Sequence, residues 1–266
     1  MDKDFASRVL EIEEHALAAW PAAEIEAFQG WHLRAMSGVS RRANSVWTGH
    51  ATGAHTLDER IAHAESFYRV RSLLPTFQIS RPCEPPGLDS ALAARGYHLV
   101  APVSVRVART IELARVNTAD GVRTEVDQEM NDTWFDLSAR RGRFAAVEDV
   151  YRGLLRRLGS RAVFAVAFVD GSPAAVGLGV RGRHWFGISS MFTLPAYRRR
   201  GAASAVLRAL SGHGVASGQR MLYLQVEREN HAALALYSKL GFEHHHEYHY
   251  RQTEPEIVHR LTPIDR

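Results

Sequence analysis

The sequence predicts an α/β (α+β) chain built of two tandem halves of like pattern. Three observations carry that expectation. Short β-prone apolar runs alternate with stretches whose apolar residues recur at i, i+3, i+4 and i+7, the spacing of a half-buried helix. The order of these segments in the first half returns in the second, without gaps, when the first is displaced by 145 positions. One strand, turn and helix, beginning at Ile188, places arginines and small residues together at a helix start.

Taken in order, Phe5 to Trp20 carries Val9, Leu10, Ile12, Leu17 and Trp20 among acids, an amphipathic helix stopped by Pro21. Gly30 to Met36 and Ala43 to Thr48 alternate like strands and are joined by S-G-V-S-R-R, a hairpin. Leu57, Ile61, Ala64 and Tyr68 space a helix to about Leu73. A short strand T-F-Q-I-S follows Pro75, then a helix from Leu88 to Arg95 ending at Gly96, then a long strand to Arg109. Thr110 to Gly121 is polar and aperiodic, the pattern of a linker. Beyond it, Met130 to Arg140 and Val147 to Leu158 have helical spacing, with Trp134, Phe135 and Phe144 either lining a cleft or packing between helices. Phe164 to Val169, D-G-S-P and Ala174 to Val180 form a hairpin. Strands at Arg183 to Leu194 and Met221 to Glu227 flank a helix opening at Gly201, and a last helix and strand follow Asn230.

The chemistry concentrates between Ile188 and Phe242. A helix start leaves N–H groups unpaired and carries the positive end of the helix dipole, so it attracts phosphate. Gly201, Ala202 and Ala203 keep that start uncrowded, and Arg198, Arg199 and Arg200 add forked cationic donors. Alone, this pattern is equally that of a solvated basic turn. Asn230 opens the next helix and Tyr237 stands two turns along, beside the apolar stripe of Ala233, Leu236 and Leu240, with Gly241 as a C-cap. Tyr237 by itself is also an ordinary rim-of-core residue.

Strand, R-x-x-G-x-A, helix, strand, N-x-x-A-x-x-L-Y-x-x-x-G-F resembles the GNAT superfamily of acetyl-CoA-dependent N-acetyltransferases, over Thr124 to Tyr250. The resemblance implies halves that are each a mixed, mostly antiparallel twisted sheet flanked by helices, with a splayed strand at the CoA site of the second. It implies that Arg198 to Ser204 cradles the CoA pyrophosphate and that Met191, Phe192 and Thr193 run beside the pantetheine arm. It further implies that Asn230 bonds the cofactor arm and that Tyr237 is the general acid for the departing thiolate. The segment Gly30 to Val46 is similar to a bacterial group of tandem-domain members. Arg41, Arg42 and Asn44 within it either face an acidic acceptor or end a solvated hairpin. For the general base, Gln225 has no basic group and Glu227 is a weak candidate.

The expected organisation is a degenerate half over 1–109, a linker over 110–121 and a transferase domain over 122–266. Displacement by 145 lays Thr56, Asp58 and Glu59 on Gly201, Ala203 and Ser204, and Leu92 on Tyr237. Carboxylates at a helix start satisfy its N–H groups and repel a second anion, so the first half should neither bind CoA nor catalyse, and is expected to wall the acceptor pocket.

Lys and Arg exceed Asp and Glu by 33 to 29, a net +4 that suits an anionic cofactor and is too small to argue for nucleic acid, so none is expected as a partner. Cys83 is the sole cysteine, so no intrachain disulfide forms, and no motif makes it a covalent nucleophile. The acidic start without a signal-like apolar core, and the lack of a spanning run, predict a cytoplasmic protein off the membrane. His244, His245, His246 and His249 lie on one strand, where neighbours face opposite ways, so no metal is expected. The implied reaction is acetyl transfer from acetyl-CoA to a small-molecule amine or peptide acceptor. The alternatives are a non-catalytic acyl-CoA-binding or sensor module and a binder of another nucleotide. Acceptor identity, acyl-chain preference and oligomeric state are open at this level.

Overall fold

The structure is a computed structural model that describes residues 3–49, 52–81, 85–142 and 144–254, so the expectation for Cys83 lies outside the described residues. The chain forms two compact units, and neither is a continuous stretch. One comprises Met1–Glu13, Ala22–Val103 and Glu247–Arg266, the other Glu14–Pro21 and Ser104–His246. Three elements change units part-way: α1 (Lys3–Ala19), β5 (His98–Arg109) and β11 (Glu243–Gln252).

In the first unit the strands lie in the order β1 (Glu24–Phe28), β2 (Trp31–Ala35), β3 (Val46–Trp47), β4 (Thr76–Ser80) and the later part of β11. The β1–β2 and β2–β3 pairs are antiparallel, β3–β4 is parallel, and β11 joins β4 antiparallel from Tyr248↔Ser80 to Gln252↔Thr76. Period-two alternation sorts the faces. Trp31, Leu33, Val46, Phe77 and Ile79 pack on α2 (Leu57–Arg69) and α3 (Leu88–Ala94) through Ile61, Ala64, Tyr68, Leu88 and Leu92. Between these core positions Arg34 is fully buried and donates to the Ser45 carbonyl at 3.1 Å and to Ser45 Oγ at 2.8 Å. Asp89 on α3 accepts from Arg251 Nε at 2.7 Å and His249 Nε2 at 2.9 Å, which ties β11 to this unit and holds the Asp89 carboxyl below its ordinary range.

In the second unit the order is β10 (Met221–Glu227), β9 (Trp185–Thr193), β8 (Ser172–Arg181), β7 (Ala162–Val169) and β6 (Val122–Asp127). Every neighbour pair is antiparallel except β9–β10. One face packs Val163, Ala165, Ala167, Phe186, Ile188, Leu222 and Leu224 against α7 (Ala202–Ala216) and α8 (His231–Lys239). The other face carries Phe164 beneath a group of rings: Trp134 and Phe135 of α5 (Asp132–Phe135), Tyr151 of α6 (Glu148–Leu158), Trp20 just past α1, and Phe144 from the segment between α5 and α6.

Several sequence expectations are corrected here. The later part of β11, from Glu247, does not stay with residues 122–246, because it pairs with β4. The supposed linker starts with a helix, α4 (Thr110–Ala114), whose Leu113 is buried in the second unit's core. Five residues were too short a run for helical periodicity to register. β1 was not anticipated, since its sequence EIEAF is exposed at most positions. The helix expected over Met130 to Arg140 is one α-turn followed by a π-helical turn at Asp136–Arg140. Asn44 is buried rather than facing an acceptor. Its Oδ1 accepts from the N–H of Met36 at 2.7 Å and of Gly38 at 3.1 Å, closing the loop between β2 and β3.

Candidate active site

The start of α7 is bare. Gly201 is its N-cap at φ 82°, and among the described residues no side-chain cap bond is made to the first turn, Ala202, Ala203 and Ser204. Glycine is required there for two reasons: the left-handed backbone, and a Cβ that would come 2.8 Å from Ala119 Cβ. Arg199 is also left-handed, at φ 64°. Left-handed residues at alternate positions turn successive N–H groups toward one point, the backbone pattern of an anion cradle. Arg198 and Arg199 are exposed, whereas Arg200 is paired with Asp170 at 2.5 Å and stands over the Tyr197 ring. The positive field at this turn therefore comes from the helix end and the first two arginines.

The matching helix start in the first unit is closed. Thr56 caps α2, its Oγ1 accepting from Glu59 N–H at 3.3 Å, while Glu59 Oε2 accepts from Thr56 N–H at 2.7 Å. These bonds to Thr56 hold the Glu59 carboxyl below its usual range. The carboxylate expected from the sequence to satisfy this end does so.

Beyond that helix, the strands open. The parallel ladder of β9 and β10 runs from Trp185↔Met221 to Ile188↔Leu224 and ends, although β9 continues to Thr193 and β10 to Glu227. Met191, Phe192 and Thr193, all half-buried, thus lie on an edge of β9 that β10 has left. Across its other edge β9 carries a bulge. Leu178 pairs with Ser189 and Val176 with Phe192, so Ser190 and Met191 together oppose Gly177. Ser190 takes a left-handed φ of 50°. Trp134 Nε1 donates to the Gly177 carbonyl at 2.9 Å, and Tyr151 Oη lies 2.8 Å from Ser190 Oγ. Sequence reasoning missed both supports; a glycine inside a strand was the available sign of a bulge.

Asn230 caps α8, its Oδ1 accepting from Ala233 N–H at 3.2 Å. Tyr237 is 7% exposed, packed in the α7–α8 core with its ring 5.6 Å from Phe242. Glu227 is exposed at the end of β10, and Gln225 two residues back is half-buried. Further back on that face, Tyr223 Oη lies 2.8 Å from His15 Nδ1. Among the described residues no three metal-ligating side chains converge, and no helix is long and apolar enough to cross a membrane.

Known proteins match this chain along most of its length. The family described as "Probable histone acetyltransferase Rv0428c C-terminal" matches residues 6–251. The chain is 32% identical over 248 residues to the uncharacterized N-acetyltransferase YobR of Bacillus subtilis, covering 91% of this chain and 98% of that one. It is 31% identical over 240 residues to the probable histone acetyltransferase Rv0428c of Mycobacterium tuberculosis, covering 90% and 72%. Among solved structures, a GCN5-related N-acetyltransferase from Kribbella flavida superposes with a TM-score of 0.68 over 93% of this chain and 95% of that one, at 13% identity. A tandem GNAT protein from the clavulanic acid biosynthesis pathway gives 0.61 over 77% and 69%, at 16% identity. At such identities these two establish the fold, the mixed α/β GNAT arrangement with a tandem relative.

Proposed function

The chain belongs to the Rv0428c-type family of GNAT N-acetyltransferases and is an acyltransferase; on that premise we propose that it moves the acetyl group of acetyl-CoA to a primary amine by direct attack in a ternary complex. The observation that carries this is the conjunction, in one unit, of an uncapped α7 start and a β9–β10 ladder that stops short. The amides from Ala202 to Ser204, with Arg198 and Arg199, hold the diphosphate, and Arg200 stays with Asp170. The opened edge at Met191 to Thr193 offers backbone groups to the pantetheine arm and N–H donors to the thioester carbonyl.

Acetyl-CoA supplies an activated carbonyl and a thiolate leaving group. As the amine nitrogen bonds to the carbonyl carbon and the carbon–sulfur bond breaks, Tyr237 gives its phenolic proton to sulfur. Glu227 or solvent takes the proton from the amine. Asn230 keeps α8, and with it Tyr237, in register through its cap, and its side-chain amide contacts the cofactor arm. The first unit, with α2 closed by its own capping box, binds no CoA. The acceptor is a small amine or a peptide lysine.

The test is acceptor-dependent release of free thiol from acetyl-CoA across amino acids, polyamines, aminoglycosides and lysine peptides. With an acceptor found, Tyr237→Phe should lower kcat by roughly 100-fold or more, the range of a general acid. Thiol release with no amine of the panel, from protein that still binds CoA, would favour a non-catalytic acyl-CoA sensor and sink the transferase reading.

A further inference from the structure

Tyr151 has no part in the motifs of the CoA loop or of α8, yet it is completely buried and its phenol meets the side chain of a residue in the β9 bulge. Its ring stacks on Phe144 with centroids 4.0 Å apart and lies near Phe135 at 6.2 Å and Trp20 at 6.0 Å. Caged by those rings, the phenol has little freedom, and its oxygen meets Ser190 Oγ at 2.8 Å. Ser190 is the left-handed residue of the β9 bulge. A serine persists in that conformation where its surroundings fix it. Trp134, from the same ring cluster, secures the opposite strand at the Gly177 carbonyl. Rings from α5 and α6 thus clamp both sides of the β9 bulge formed by Ser190 and Met191.

We propose that Tyr151 is a positioning residue for acetyl transfer: through the Ser190 hydroxyl it sets the β9 bulge so that the following N–H groups point at the thioester carbonyl. The idea rests on the function proposed above. It assigns to the ring cluster on this face a role beyond core packing. Removing the phenol leaves the ring stack intact and frees Ser190 to relax, which turns the N–H groups away from the carbonyl without touching the loop that holds the diphosphate.

The readout needs no acceptor. Tyr151→Phe, Ser190→Ala and the double variant are compared with the unaltered chain by calorimetric titration with CoA and by isotope-edited infrared spectra of bound acetyl-CoA carrying a ¹³C carbonyl. The expected result is CoA affinity within about twofold throughout, since the diphosphate loop is intact. The bound carbonyl band should sit below that of free acetyl-CoA in the unaltered chain and move back toward it equally in both single variants. The double variant should move it no further, the mark of residues acting as one unit. A band unchanged in both single variants, additive shifts, or loss of CoA affinity alongside the shift would overturn the proposal. If the unaltered chain binds no CoA, the proposed function itself falls, which the first titration reveals separately.

Discussion

His15 sits where a proton is penalised. Burial against β9 and β10 takes its pKa from 6.5 to about 4, with the Arg181 backbone opposing and the Arg161 charge adding to the fall. Its Nδ1 lies 2.8 Å from Tyr223 Oη. The unfolded chain binds this proton near pH 6.5 and the folded chain only near pH 4, so this contribution is complete above 6.5 and is lost as pH falls toward 4. The full effect is on the order of 3 kcal/mol. Urea unfolding of His15→Gln at pH 7 and pH 5 should show a smaller pH difference than the unaltered chain. Equal differences would remove His15 from the account. Residue identity was legible in the sequence where a residue's role depends on its own helix end, Gly201 and Asn230 each at a cap; Tyr237, expected at the edge of a stripe of Ala233, Leu236 and Leu240, is instead buried while those three are half-buried. Partners were not legible. Nothing in sequence spacing pairs Arg200 with Asp170 or His15 with Tyr223. Asn230→Ala should also cost about 1 kcal/mol of stability through the lost cap alone, so a fall in activity there needs a stability measurement beside it.

The bulge in β9 depends on Gly177. A Cβ at that position would fall 2.6 Å from both Met191 Sδ and Val206 Cγ1, contacts that neither β9 nor α7 relieves without shifting. Gly177→Ala is therefore expected to lower unfolding stability by about 1–3 kcal/mol, and acetyl transfer with it, because the displaced segment is the one beside the cofactor edge. An unchanged urea midpoint would show that the bulge yields freely. At this scale the strands and the long helices were readable because burial imposes period 2 or 3.6 on the residues themselves. The bulge and the π-helical turn at Asp136–Arg140 were not, because each inserts one extra residue that is visible only in the pairing. α4 was too short to show a period.

The repeat holds at the scale of the whole chain. The displacement by 145 that aligns the two halves carries Leu57 onto Ala202, Thr76 onto Met221 and His98 onto Glu243, the first residues of α2 and α7, β4 and β10, β5 and β11. What the repeat did not reveal is that the compact units ignore its boundary. β11 finds its partner in β4, and the second unit takes Trp20 from just past α1 and Leu113 from α4. Apolar periodicity says that a strand has a buried face but not which edge it joins. A fragment of residues 122–266 lacks those pieces and should show no cooperative unfolding transition by near-ultraviolet circular dichroism. A sharp transition would mean that the half folds without them. The repeat also supplies the most direct test of the central claim, that the bare α7 start holds the CoA diphosphate. Ser204 occupies the position at which Glu59 closes α2. Calorimetric titration with CoA should show binding to the unaltered chain and at least a tenfold loss in Ser204→Glu, with the fold unchanged by circular dichroism. Equal affinity in the two, or no heat in either, would contradict it.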